Sequence, residues 1–144
     1  MQSFPKLKLV AVGKVKKAWI RDGISVYLDR VPELSIVEIK DSTPQKEGEQ
    51  VLAMVRGGDR LVALSEEGKT FTSPKFADFL AQAPSNRLVL MIGSASGLSS
   101  QVKQQAHSLL SLSPMTFPHE VARLMLVEQL YRAKTILQNG SYHK

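Results

Sequence analysis

A chain of 144 residues, 43% hydrophobic and 22% charged, is long enough for one domain with a full core and too evenly mixed for a disordered or fibrous protein. The absence of cysteine excludes disulfides and thiolate metal sites and agrees with a reducing cytoplasm. A formal charge of +6 favours a polyanionic partner, and RNA is the usual cytosolic one.

Leu7-Lys8-Leu9-Val10-Ala11-Val12 reads as a short strand ending at Gly13. Apolar residues recur with helical spacing from Ala18 to Val31, and Pro32 stops that helix. The same spacing favours Trp19 as core over a ring that stacks on a base. Leu34 to Ile39 alternates as a strand, Thr43-Pro44 starts a helix over Gln45–Val55, and Gly57-Gly58 ends it. Arg60 to Leu64 is a third strand, with Ser65 to Lys69 as its loop. Ser73-Pro74 opens a helix that runs through Ala81, with Ser73 as its cap. Arg87 to Ile92 is a fourth strand, Ser99 to Leu109 a helix, Ser111 to Phe117 a fifth and less regular strand, and Glu120 to Leu137 a long final helix. Strict alternation of strand and helix predicts one α/β domain spanning 1–144, with a mostly parallel sheet and helices on both faces.

No apolar stretch approaches the roughly 20 residues of a membrane span, and lysines interrupt the N-terminal segment where a signal sequence would be apolar. The protein is expected to be cytoplasmic, unprocessed and without membrane contact. No cluster of His, Asp and Glu has metal-ligand spacing, so no metal site is expected. The dinucleotide fingerprint and the P-loop are both absent. A phosphate cradle at Ser94 to Gly97 stays open as an alternative, and with it a nucleotide- or flavin-binding protein.

In an open parallel sheet the ligand lies at the carboxyl ends of the strands. Three turns end there: the one after Leu64, Gly93-Ser94-Ala95-Ser96-Gly97, and Leu112-Ser113-Pro114-Met115-Thr116-Phe117-Pro118-His119. Five consecutive residues with almost no side chain add little to a core, but they let backbone approach a ligand or another chain segment. The final helix has an apolar surface wider than the ~100° stripe of a helix that covers one side of a sheet. Burial against a second subunit is preferred over a central position within one chain.

The blocks LKLVAVGK, KEGEQVL, RLVALSEEGK, LMIGSASGLS and LSLSPMTFPHEVARLMLVEQLYRAKTI, with the closing YHK, resemble the RlmH (YbeA-like) family of the SPOUT superfamily, the pseudouridine methyltransferases of 23S rRNA. The likeness runs from about Leu7 to Lys144, and its most specific part is Leu110 to Ala133. It implies a trefoil-knotted α/β fold and a homodimer with its active site at the interface. It also implies S-adenosylmethionine as cofactor and methylation of ring nitrogen 3 of a pseudouridine in 23S rRNA, in the assembled ribosome. Carried over by position, the cofactor residues are Leu64, Gly93, Leu112, Ser113, Pro114, Met115, Thr116 and Phe117.

Two departures from the family pattern stand out. Ser94, Ala95 and Ser96 replace the second glycine, proline and glutamate of the commoner Gly-Gly-Pro-Glu-Gly, and the segment between Ile39 and Glu47 is short. The altered loop keeps a second reading in view, a non-catalytic RNA- or ribosome-binding module of the same fold.

For the chemistry, His143 has the side chain best suited to proton transfer near neutrality, beside Tyr142 in the tail. Arg123 is assigned to a phosphate or the developing negative charge, against an ion pair with an acid such as Glu128. His119 is expected to cap or pack, and His107 to be solvated. Lys14, Lys16, Lys17, Arg132 and Lys144 are candidates for the RNA backbone.

Overall fold

The structure, a computed structural model, describes residues 4–83 and 87–144. Among them five strands and five helices alternate: β1 (Lys6–Val12), α1 (Ala18–Leu28), β2 (Leu34–Ile39), α2 (Pro44–Met54), β3 (Arg60–Lys69), α3 (Ser73–Ala81), β4 (Arg87–Ile92), α4 (Ser100–Gln105), β5 (Ser108–Leu110) and α5 (His119–Leu137). The sheet is parallel throughout, in the order β2-β1-β4-β3-β5.

β4 reads Arg-Leu-Val-Leu-Met-Ile and is buried along nearly its whole length, as a strand covered on both faces must be. Its side chains alternate between two cores. Leu88, Leu90 and Ile92 join Leu7, Leu9, Ile20, Leu80, Leu126 and Leu130 on the face that carries α1, α3 and α5. Val89 and Met91 join Val10, Val12, Leu61 and Val102 on the face that carries α2 and α4. Fully burying a leucine such as Leu9 or Leu90 stabilises the fold by about 1.5–3 kcal/mol. The crossovers β1–β2 and β3–β4 run the same way across the sheet, with helices on one face. β2–β3 and β4–β5 run the opposite way, with helices on the other face, so all four have one hand.

Thr43 and Thr72 cap α2 and α3 by accepting from Lys46 N and Lys75 N, with proline in the first turn of each. The cap of α3 is thus Thr72, one residue before the expected Ser73. Ser99 caps α4 through Val102 N.

The structure departs from the sequence reading in four places. β3 runs on through Ser65–Lys69 instead of ending in a loop there. α4 stops at Gln105, and Ser108–Leu110, whose first two residues were expected to be helical, is the fifth strand, while Ser111–Phe117 is irregular. β3 selects that register: His107 N donates to Leu61 O, and Ser111 N donates to Lys69 O across a bulge between Leu64 and Lys69. α5 lies between α1 and α3 on the sheet, so its own chain accounts for much of its wide apolar surface. Trp19 is not core but 62% exposed.

Candidate active site

The ends of β3, β4 and β5 enclose a cavity of about 720 Å³. Its first wall is β3 beyond Leu64, where Glu66 and Glu67 line the cavity beside Lys103. Gly68 permits this wall, because a Cβ there would stand 2.6 Å from the backbone carbonyl of Leu109. The second wall is Gly93 and the turn after it. Gly97 N donates to Ser94 O at 2.9 Å, Ser96 N to Ser94 Oγ at 3.3 Å, and Gly97 has φ +86°. A Cβ on Gly93 would come within 3.1 Å of the Gly97 carbonyl. The small residues therefore first let the loop fold back on itself, which leaves Gly93 facing the cavity. The third wall is Ser111–Pro118, held by Ser111 Oγ to Ser113 O (2.9 Å), Met115 N to Ser113 Oγ (3.0 Å) and Thr116 Oγ1 to Glu66 Oε1 (2.8 Å).

Of the eight expected cofactor residues, Leu64, Gly93, Leu112, Ser113, Met115, Thr116 and Phe117 line this one cavity, and Pro114 does not. Met115, expected as a wall, is 73% exposed and forms part of the rim. The cavity fits an adenosine-sized ligand: leucines and Phe117 suit a flat purine, and the carboxylates of Glu66 and Glu67 suit hydroxyls or a cation. Glu67 is paired with Lys103 Nζ at 3.0 Å, so Glu66 is the carboxylate of this wall without a cationic partner. Glu66 and Glu67 lie within the block RLVALSEEGK but were not among the expected site residues.

Behind the second wall sits Glu47, fully buried in the first turn of α2. Its carboxylate accepts from Ser42 N (2.8 Å) and Ser94 Oγ (3.3 Å). A buried carboxylate thus supports the loop from below.

At the other rim, Glu120 Oε1 accepts from Lys16 N (3.0 Å) and Lys17 N (3.2 Å). The bond from Lys17 N is the main cause of a Glu120 pKa below the ordinary glutamate value, outweighing desolvation. Arg123 is buried in the alternative role, an ion pair, with Glu38 rather than Glu128 as its acid: its guanidinium pairs with Glu38 and donates to Gly13 O, while Glu128 pairs with Arg132. The corner Gly13–Lys17 is thereby pinned to the start of α5, beside His119 and Ala122, which line the cavity. Lys14, Lys16, Lys17 and Lys144 are exposed. His107, expected in solvent, is exposed, yet its Nδ1 accepts from Leu61 N at 3.1 Å.

The tail folds back on α5. Glu128 Oε2 accepts from Tyr142 Oη and Arg132 Nη2, each at 2.7 Å. Arg132 Nη1 lies 3.0 Å from His143 Nδ1, and its guanidinium stacks 4.8 Å from the Tyr142 ring. Arg132 is therefore engaged within the protein rather than free for a phosphate. Because an arginine only donates, His143 Nδ1 accepts and the neutral ring carries its proton on Nε2. Burial, then hydrogen bonds with Glu128 and Tyr27, raise the pKa of Tyr142, so its phenol stays protonated. This cluster lies roughly 14–20 Å along α5 from His119 at ~1.5 Å per residue, and the tail does not line the cavity of its own chain.

A second cavity, of about 520 Å³, opens between α1, α3 and α5, with Tyr27, Phe71, Phe76 and Leu124 in its apolar lining and Glu128 and Gln129 at its polar edge. Among the described residues no group of His, Cys, Asp or Glu can hold a metal, and no helix is long and apolar enough to cross a membrane.

Residues 6–143 match the family described as "Predicted SPOUT methyltransferase". Three relatives carry the name ribosomal RNA large subunit methyltransferase H. One from a Synechococcus strain is 53% identical over 139 residues, 96% of this chain and 95% of the relative. One from Parasynechococcus marenigrum is 51% identical over 96% of both chains. One from Prochlorococcus marinus is 49% identical over 144 residues, 100% of this chain and 99% of its own.

Proposed function

Since this chain belongs to the SPOUT methyltransferase family, in the branch of the RlmH proteins, we propose that it methylates ring nitrogen 3 of a pseudouridine in 23S rRNA of the assembled large subunit, in the cytoplasm, with S-adenosylmethionine as donor. The observation that carries this reading is the convergence of three turns, distant in sequence, on one cavity with apolar walls and two carboxylates. The trefoil knot belongs to the same proposal: Ser111–Pro118 crosses the strand ends before α5 returns over the face that carries α1 and α3.

The donor supplies an electrophilic methyl group on a sulfonium. Leu64, Leu112 and Phe117 hold the purine, Ser113 and Thr116 fix the third wall, and Gly93 leaves room at the strand end. Glu66 places negative charge on the side where a cation would be held, while Glu67 is paired with Lys103. Much of the rate comes from this positioning, because methyl transfer needs an in-line approach.

The ring nitrogen must lose its proton, which passes to solvent water at the open mouth of the cavity, since His143 has no free lone pair to take it. With Nδ1 accepting from Arg132, His143 presents Nε2–H as a donor, which suits a carbonyl oxygen beside a developing anion. Protonated Tyr142, anchored on Glu128, holds the tail in that pose. The tail does not reach the cavity of its own chain, so the working unit is a homodimer in which each tail closes the partner's site. The second cavity offers the apolar surface for that contact. Lys14, Lys16, Lys17 and Lys144 face the RNA.

Mass spectrometry of 23S rRNA with and without this protein tests the reading. Loss of one methylpseudouridine is the expected result, and an unchanged level leaves a non-catalytic ribosome-binding module of the same fold. Deleting Tyr142–Lys144 should abolish methylation while calorimetry finds donor affinity nearly intact.

A further inference from the structure

Trp19 is the chain's single tryptophan, and no hydrogen bond or ring contact with the described residues holds its indole. A ring of this size left in solvent forgoes one of the largest apolar burials a side chain can make. Its setting is ordered: it lies in the first turn of α1, directly after the corner pinned by Glu120 and Arg123. Arg21 Nη1 ties the same corner by donating to Val15 O at 3.1 Å. Lys14, Lys16, Lys17 and Arg21 are exposed around it, and no acid occurs between Lys14 and Arg21. The corner's anchor, Glu120, follows His119, which lines the donor cavity, so the corner that carries Trp19 is tied to the element that closes that cavity.

We propose that Trp19 is a stacking platform for an unpaired base of the RNA, with the flanking lysines on its phosphates. An exposed flat ring inside a ring of cations is the chemistry that takes single-stranded nucleotides, with π-faces on indole and backbone on ammonium groups. Charge complementarity favours this occupant, because exposed cations flank the ring, while the dimer contact proposed above lies further along α1 at Gly23 and Tyr27. The identity of the RNA rests on the methyltransferase reading above; the platform does not.

As the single tryptophan, Trp19 reports on itself. In the full-length protein, acrylamide should quench its emission freely, and titration with a short RNA hairpin carrying a pyrimidine loop should quench the emission and protect the ring. Trp19→Ala should weaken hairpin binding roughly 10-fold, with unchanged thermal midpoint and S-adenosylmethionine affinity, and Trp19→Phe should recover most of the loss. Unaltered hairpin affinity in Trp19→Ala overturns the proposal. So does a ring already shielded from acrylamide without RNA at concentrations where sedimentation finds a dimer, because a second copy then covers it. If quenching and affinity loss appear but no RNA is methylated, the platform stands and the catalytic reading fails.

Discussion

Arg123 sets the chemistry of single residues here. A buried guanidinium needs partners, and this one finds a carboxylate on β2 and a carbonyl at the end of β1. Glu38 is 40% exposed, so solvent screens much of the pair. Arg123→Met should lower stability by about 1–3 kcal/mol in urea titration, through the lost bonds and an uncompensated Glu38. Donor affinity should be unchanged; a large loss of donor binding without loss of stability would restore a catalytic role.

Glu120 adds a pH dependence to the same corner. Its folded pKa lies below the unfolded value, so its contribution is fully present above the ordinary glutamate range and lost as pH falls through the depressed pKa. Trp19 anisotropy should therefore be flat above about pH 5 and drop only in stronger acid, and Glu120→Gln should remove the step. At this scale the sequence was a partial guide. It marked the three turns because their residues are unusual in composition. It did not reveal Glu38 as the partner of Arg123, or the exposure of Trp19, because a pairing partner 85 residues away and an outward-turned ring leave no local trace.

At the scale of elements, the contact between β3 and β5 decides the site. Gly68 lies against the Leu109 backbone, which cannot move aside as a side chain would. Gly68→Ala should push β5 away and lower stability by about 1–3 kcal/mol. It should also weaken S-adenosylmethionine binding in calorimetry, because Leu110 and Leu112 continue from β5 into the cavity wall. Gly48→Ala is the comparison. Its Cβ would meet Ser99 Oγ at 2.7 Å and Val102 Cγ2 at 2.8 Å, which disturbs the α2–α4 contact with a smaller effect on donor binding. The alternation of strand and helix was legible because Leu9–Val12 and Leu88–Ile92 are apolar runs and Thr43-Pro44 and Ser73-Pro74 open helices. β5 was not, since three residues carry no periodicity and its pairing with β3 alone makes it a strand.

At the scale of the whole molecule, the tail and the donor cavity lie at different places on one chain. If each tail serves the partner's cavity, a tail-deleted variant mixed with a cavity variant such as Gly93→Trp forms heterodimers with one intact site. Methylation should then reappear on mixing two inactive proteins after co-refolding, and its absence would leave the tail acting within its own chain. The sequence indicated a second burial partner for α5 through its wide apolar surface. It could not show that α1 and α3 already supply much of that burial, because helix neighbours follow from topology rather than from pattern.

The residues that line the donor cavity all follow position 60, while the exposed tryptophan and its lysines all precede position 22. On the proposed reading one stretch of chain serves the reagent and another the target, joined through the first turns of the last helix. Retargeting such an enzyme to a different nucleotide is a matter of rewriting its leading corner, with the alkylating machinery inherited whole.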